Sequence, residues 1–215
     1  MTGRGENALQ QPGYDHLAVA YDAAFPQAYH YAEERHAVAL FAEQVLAGGH
    51  GGPVLDVGCG TGHVAADLAR RGLDVVGVDP SGPMLDIARR TYPEQHWVEG
   101  DARLGALPTS DPLAGVVARF SLIHVEPQDV APILTAWAHR LVDGGPVLVA
   151  FQCSDSTSSP VLEFDHKVAR AWRWHPDAMS AALRDAGFSE RWRLIAAADH
   201  VHRFAECHLL ALKAG

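Results

Sequence analysis

Three carboxylates and a run of glycines carry most of the chemistry in this chain of 215 residues. The apolar pair Val54-Leu55 leads into Asp56, and Gly58, Gly60 and Gly62 follow at alternate positions before a helical pattern begins. Glycine takes dihedrals closed to other residues and lets a ligand lie against bare backbone. A strand, a tight turn and a helix start of this kind read as a nucleotide-type ligand site at the mouth of an α/β sheet. A second apolar run ends in Asp79, 17 residues past Gly62, where a carboxylate can accept both hydroxyls of a ribose. The dinucleotide fingerprint G-x-G-x-x-G fails at its sixth position, His63, and no G-x-x-x-x-G-K-[ST] loop occurs. A nicotinamide oxidoreductase is therefore a remote reading.

The pattern D-x-G-x-G-x-G at 56–62 resembles the first motif of the class I S-adenosylmethionine-dependent methyltransferases, and three later segments resemble further motifs in the same order. These are Leu73 to Asp79 with Pro80-Ser81, Trp97 to Ala102, and Ala114 to Val125; together the resemblance covers residues 54–151. It implies a Rossmann-like fold, a seven-stranded mostly parallel sheet with helices on both faces and the last strand antiparallel. It also implies S-adenosylmethionine as methyl donor and S-adenosylhomocysteine as product. That donor brings a sulfonium and an amino-acid head but no phosphate. Carried over motif by motif, Asp56, Gly58, Gly60 and Gly62 would hold the amino-acid head, with Cys59 small enough to let the ligand pass. Asp79 with Pro80 and Ser81 would hold the ribose, Met84 would pack on the adenine, and Asp101 with Gly100 and Ala102 would receive the adenine amino group. Ser81 is also a plausible helix cap. Arg119 ends the fourth strand, where relatives touch the cofactor mainly through backbone; it could instead bind an acidic substrate or pair with Asp101. Tyr21, in Ala20-Tyr21-Asp22, resembles the Tyr-Asp pair whose phenol reaches the cofactor carboxylate, helix packing being its other reading.

Methyl transfer from a sulfonium is an in-line displacement with a neutral leaving group, so alignment does most of the work, worth roughly 7–11 kcal/mol. A hydroxyl, amine or acidic carbon acceptor gains from a base, on the order of 10²–10⁴-fold. His124, just past the fourth strand, is the first candidate base, its alternative being a hydrogen bond to its own loop or stacking beside the cofactor; His166 is the second. Asp165 should not orient His166, since neighbours on a strand face opposite ways. Tyr14 is a candidate for lining the substrate pocket. Trp172 and Trp174 share a face if 168–174 is extended and would wall an aromatic pocket or pack in the core. Trp97, Trp137 and Trp192 are assigned to packing. Oxygen leads nitrogen and carbon as acceptor atom because a histidine is available. The alternative function is a protein of this fold that binds the cofactor without transferring methyl, a cyclase or binding module.

Composition sets the outer bounds. Net charge is −9 and the isoelectric point about 5.7, which argues against nucleic acid as substrate because phosphate neutralisation needs clustered Lys and Arg. Hydrophobic residues make up 48% and charged ones 20%, ordinary for a globular protein. No run reaches the length of a membrane span, and residues 1–11 are polar rather than a signal peptide. Three widely spaced cysteines suit a reducing cytoplasm, Cys153 and Cys207 as buried strand residues. Thirteen histidines form no H-E-x-x-H and there is no CxxC pair, so no metal site is expected. The expected partner is a small-molecule acceptor, with neither nucleic acid nor membrane, in a monomer or homodimer.

Strand and helix patterns alternate as strand 53–57, helix 62–71, strand 74–79, helix 82–91, strand 95–99, strand 113–119, helix 127–142 and strand 146–152. Such alternation implies parallel strands between helices. Two helices over 14–25 and 31–46 precede them, the first 13 residues being extended or disordered. A last helix over 176–186, closed by Gly187, and strands near 189–197 and 203–212 follow. One domain over 1–215 is expected: an N-terminal helical cover (1–50), a cofactor-binding core (53–152), a substrate-cover segment (153–175), and a C-terminal helix with edge strands (176–215).

Overall fold

The structure, a computed structural model, describes residues 13–105, 107 and 112–215; the expected extended leader lies almost wholly outside them. Along the chain run α1 (Gly13–Ala24), α2 (Ala32–Gly48), β1 (Val54–Val57), α3 (His63–Arg70), β2 (Val75–Asp79), α4 (Gly82–Thr91), β3 (His96–Glu99), β4 (Gly115–Arg119), α5 (Pro127–Arg140) and β5 (Pro146–Gln152). Then come β6 (Val161–Phe164), β7 (Ala171–Trp174), α6 (Pro176–Asp185), β8 (Phe188–Ala196) and β9 (Glu206–Lys213). Seven strands form one sheet in the order β3-β2-β1-β4-β5-β9-β8. All neighbours are parallel up to β5, and β9 runs antiparallel to both β5 and β8.

The strands read as continuous apolar runs because both faces are covered. β1 is buried along its whole length, Asp56 included. Alternation then sorts side chains between two layers. Val116 and Ala118 of β4 join a cluster with α5 and α6 (Ile133, Leu134, Trp137, Met179), while Val117 turns to Phe41 and Val45 of α2 and Leu68 of α3. Strand order reverses where β1 lies between β2 and β4, and an open α/β sheet binds ligands outside the carboxyl ends of its strands at such a switch point. Asp56, Asp79, Arg119 and the loops behind them all stand at that edge.

One element departs from the expected pattern. The segment 153–175 holds a two-stranded hairpin, β6 with β7, paired from Val161↔Trp174 to Phe164↔Ala171. Four-residue strands carry little periodic signal, and a lone hairpin is marginal in water. This one is held by docking: Ala171, Trp172 and Trp174 sink into the α5–α6 cluster. No helix among the described residues is long and apolar enough to cross a membrane.

Candidate active site

The loop after β1 is built on positive φ: Gly58 at 74°, Gly60 at 54° and Gly62 at 88°. Two of the three also have no room for a side chain. A Cβ on Gly58 would come within 2.2 Å of the Ser121 Cβ, and one on Gly62 within 2.4 Å of the Trp97 ring. Gly60 differs, since a Cβ there meets nothing within 4 Å, so its conformation alone calls for glycine. Ser121 closes the loop from the far side by donating to the Val57 carbonyl at 2.7 Å.

Asp79, at the end of β2, holds this loop to the next helix. Its Oδ2 accepts the Gly60 N–H at 2.8 Å and its Oδ1 the Ser81 N–H at 2.9 Å. Each carboxylate oxygen keeps a further lone pair, so the group that anchors the loop retains capacity for a ligand diol. Burial raises its pKa, opposed by those two backbone bonds. Ser81 caps α4, its Oγ accepting the Met84 N–H at 3.3 Å, next to Pro80. Met84 is fully buried under α1, against Ala18 with Tyr14 and Tyr21 alongside.

Asp56 is the most perturbed carboxyl. It is 2% exposed, and burial lifts its pKa to about 7 against the opposing pull of Arg119. Its Oδ2 is buried without a hydrogen-bond partner. An orphaned acid beneath a glycine loop fits an ammonium group, which would supply both the missing donor and the missing charge. The donor set fits the S-adenosylmethionine that the resemblance implies: an unsatisfied acid, a loop of bare backbone, a strand-end carboxylate with spare lone pairs and, among the described residues, no cluster of cations for phosphate. Among the described residues no group of three or more His, Cys, Asp or Glu is placed to hold a metal ion.

Beside this edge the structure gathers Tyr14, His124 and His166. His124 Nδ1 lies 2.9 Å from the Arg170 carbonyl, which can only accept. Nδ1 therefore carries the proton, Nε2 is the acceptor, and the Tyr14 hydroxyl at 2.9 Å donates to it. Burial lowers the His124 pKa to about 4, with His166 adding a smaller push in the same direction, so the ring is neutral at physiological pH. His166 lies edge-on to His124 at 4.9 Å. Its Nδ1 accepts the Val168 N–H at 3.3 Å, which turns the cover segment back towards α1, where Gly13 N–H reaches the Val168 carbonyl at 2.9 Å. Asp165 pairs with Arg203 instead of with His166. Tyr21 stacks edge-on with Tyr14 at 5.7 Å.

The other candidates are placed elsewhere. The Arg119 side chain is committed to Glu34 at 3.0 Å and the Ala28 carbonyl at 3.1 Å, over the Tyr29 ring. It does not meet Asp101, which binds Arg103 at 3.0 Å. Gly100 N–H donates to the Asp79 carbonyl, and the Ala102 carbonyl accepts from Trp137 Nε1 at 2.8 Å. Cys59 is buried and its thiol pKa is raised well above normal by burial, so it is no nucleophile. Trp172 and Trp174 share a face as expected, but each is 6% exposed within the core; packing rather than an open pocket wall is where the structure puts them. Sequence reasoning missed Ser121, Glu34 and the Arg170 carbonyl. Glu34 left a signal, because it falls on the stripe of Val38, Phe41, Ala42 and Val45 that α2 buries. A backbone carbonyl leaves none.

The fold and the loop geometry resemble those of the class I S-adenosylmethionine-dependent methyltransferases. Residues 54–145 match the family model described as "Methyltransferase domain". Magnesium-protoporphyrin O-methyltransferase of Rhodobacter capsulatus is 40% identical over 91 residues, 40% of each chain. Trans-aconitate 2-methyltransferase of Rhodopseudomonas palustris is 32% identical over 138 residues, 62% of this chain and 51% of that one. The chain thus spans about half or less of the curated relatives it matches. The crystal structure of magnesium protoporphyrin IX methyltransferase from Synechocystis PCC 6803 with bound SAM shares the fold, with a TM-score of 0.67 at 16% identity over 94% of this chain and 93% of that one.

Proposed function

We propose that the chain transfers methyl from S-adenosylmethionine to a small organic acceptor, with oxygen the leading acceptor atom, as a single-domain cytoplasmic enzyme of secondary metabolism working as monomer or homodimer without nucleic acid or membrane. The carrying observation is Asp79, which anchors the Gly60 and Ser81 amides while keeping lone pairs towards the ligand edge. S-adenosylmethionine would supply an activated methyl on a sulfonium, and solved neighbours of this fold that hold SAM or SAH support the reading. Asp56 and the glycine loop would take the amino-acid head, Asp79 the ribose, and Met84 and Asp101 the adenine side. Arg119 contributes indirectly by pinning α2 to the end of β4.

The proton inventory supports an acceptor that is already acidic. An acceptor proton would pass to the Tyr14 oxygen while Tyr14 hands its own proton to His124 Nε2. Moving a proton from a phenolic acceptor of ordinary pKa, near 10, through Tyr14 to an imidazole near 4 costs about 8 kcal/mol if completed before methyl transfer. A carboxylate or an acidic enol needs no such transfer, and the pair then serves to orient a lone pair. The test is calorimetry with S-adenosylhomocysteine on the parent and Asp79→Ala, followed by mass-spectrometric screening of acidic acceptors for a 14-dalton gain, roughly the mass of one CH₂. No binding by the parent at millimolar ligand would end this reading. Tightly held intact cofactor with no turnover on any acceptor would favour the binding-module alternative.

A further inference from the structure

Beyond the carboxyl end of β5, away from Asp56 and Asp79, lies a cleft of about 520 Å³, within the range of roughly 300–1,000 Å³ that takes small organic ligands. Its walls come from the end of β5, from β7 and β8, from the start of α6 and from the segment before β9. Arg173, Arg193 and Arg203 all line it, with Phe204 and Ile195 as its apolar surface. Two of the three guanidiniums stack on one ring: Arg173 stands 4.0 Å and Arg203 4.7 Å from the Phe204 centroid. Like charges gathered on one aromatic need compensation. Arg203 has it from Asp165, and Arg193 from Glu190 and Asp177. Among the described residues Arg173 has no carboxylate partner: its Nη1 donates to the Cys153 carbonyl at 3.0 Å and its buried Nε has no hydrogen-bond partner. Asp155, the remaining acid of the lining, is exposed.

We infer that this cleft binds an organic carboxylate with an apolar body, the carboxylate on Arg173 and Arg203 and the body against Phe204 and Ile195. A planar guanidinium matches a carboxylate in fork geometry and keeps its charge at all accessible pH. The stacking on Phe204 holds Arg173 in place before the ligand arrives, which lowers the ordering cost of binding. A series of ring contacts runs from the cleft towards His124: Phe204 meets Phe164 at 5.5 Å, Phe164 meets His166 at 5.6 Å, and His166 meets His124.

The experiment titrates the full chain with 1-naphthoate and with its uncharged twin 1-naphthamide, followed by calorimetry and by tryptophan fluorescence from the nearby Trp172 and Trp174. Saturable binding of the acid, at least about tenfold tighter than the amide and weakening as salt is raised, is expected. Arg173→Gln should cost about tenfold or more and Arg203→Gln a few-fold. Arg203 is 65% exposed, so that variant and the acid–amide comparison on the parent decide the matter should Arg173→Gln unfold. Equal affinity for acid and amide, no binding up to about 10 mM, or unchanged affinity in both variants would overturn the inference. S-adenosylhomocysteine is titrated in parallel, and its affinity should not move in either variant. Its failure on the parent would count against the methyl-transfer reading and leave the carboxylate site standing.

Discussion

On the proposed function, the buried acid under the glycine loop should make cofactor binding a proton-releasing event. Asp56 has a pKa of about 7 because burial disfavours its charge and its Oδ2 has no donor. If the ligand's ammonium pairs with it, the bound state requires the ionised form, and whatever proton the free protein carries must leave. With a pKa near 7, the free carboxyl is about half protonated at pH 7, about nine-tenths at pH 6 and about one-tenth at pH 8. Binding should therefore release those fractions of a proton. The sign follows directly: protons compete with the ligand, so affinity rises roughly tenfold per unit as pH climbs towards 7 and flattens above 8. The assay is calorimetry with S-adenosylhomocysteine in buffers of different ionisation enthalpy at three pH values, on the parent and on Asp56→Asn. The amide mimics the protonated acid in shape, so the variant should bind more weakly, by about 1–3 kcal/mol, and release no proton. A parent that releases less than about a tenth of a proton at pH 7, or a variant that releases as much as the parent, refutes the pairing.

Three further outcomes follow from the geometry. Asp79→Ala removes both anchors of the loop together with the proposed ribose acceptor, and should weaken cofactor binding by at least about thirtyfold, roughly 2 kcal/mol; calorimetry beside a thermal melt separates this from unfolding. Tyr14→Phe leaves the buried His124 Nε2 without its donor and should lower turnover about 10- to 100-fold with cofactor affinity unchanged, while kcat of the parent at saturating cofactor, where Asp56 is held ionised, should fall only as pH drops through about 4, where His124 takes a proton and can no longer accept from Tyr14. An acid limb near 6.5 would refute the buried neutral ring. Glu34→Gln strips the buried Arg119 of its partner, each side chain being 9% exposed, and should cost about 3–5 kcal/mol, seen as a fall of about 10 °C in melting temperature.

What could be read beforehand was whatever depends on chain-local pattern. Asp56 to Gly62 announces a strand, a turn and a helix because alternating glycines have few other uses, and Asp56, Asp79 and Asp101 in order point to one edge of the sheet. The cover resisted reading for a physical reason. Its meaning lies in contacts between residues far apart in sequence: Tyr14 with His124 across 110 positions and Arg119 with Ala28 across 91. Neither pair has a period or spacing to betray it. The tautomer of His124 is the sharpest case. Sequence places an imidazole near the site, yet its pKa and the nitrogen that bears its proton follow from one carbonyl, that of Arg170, contributed by the hairpin that periodicity also missed. A free histidine at this edge would be a base titrating near neutrality. Held by Arg170, covered by α1 and already accepting from Tyr14, the same side chain is a neutral fixture with little basicity. The chemistry of the site is thus set as much by the segment that covers it as by the sheet that presents it.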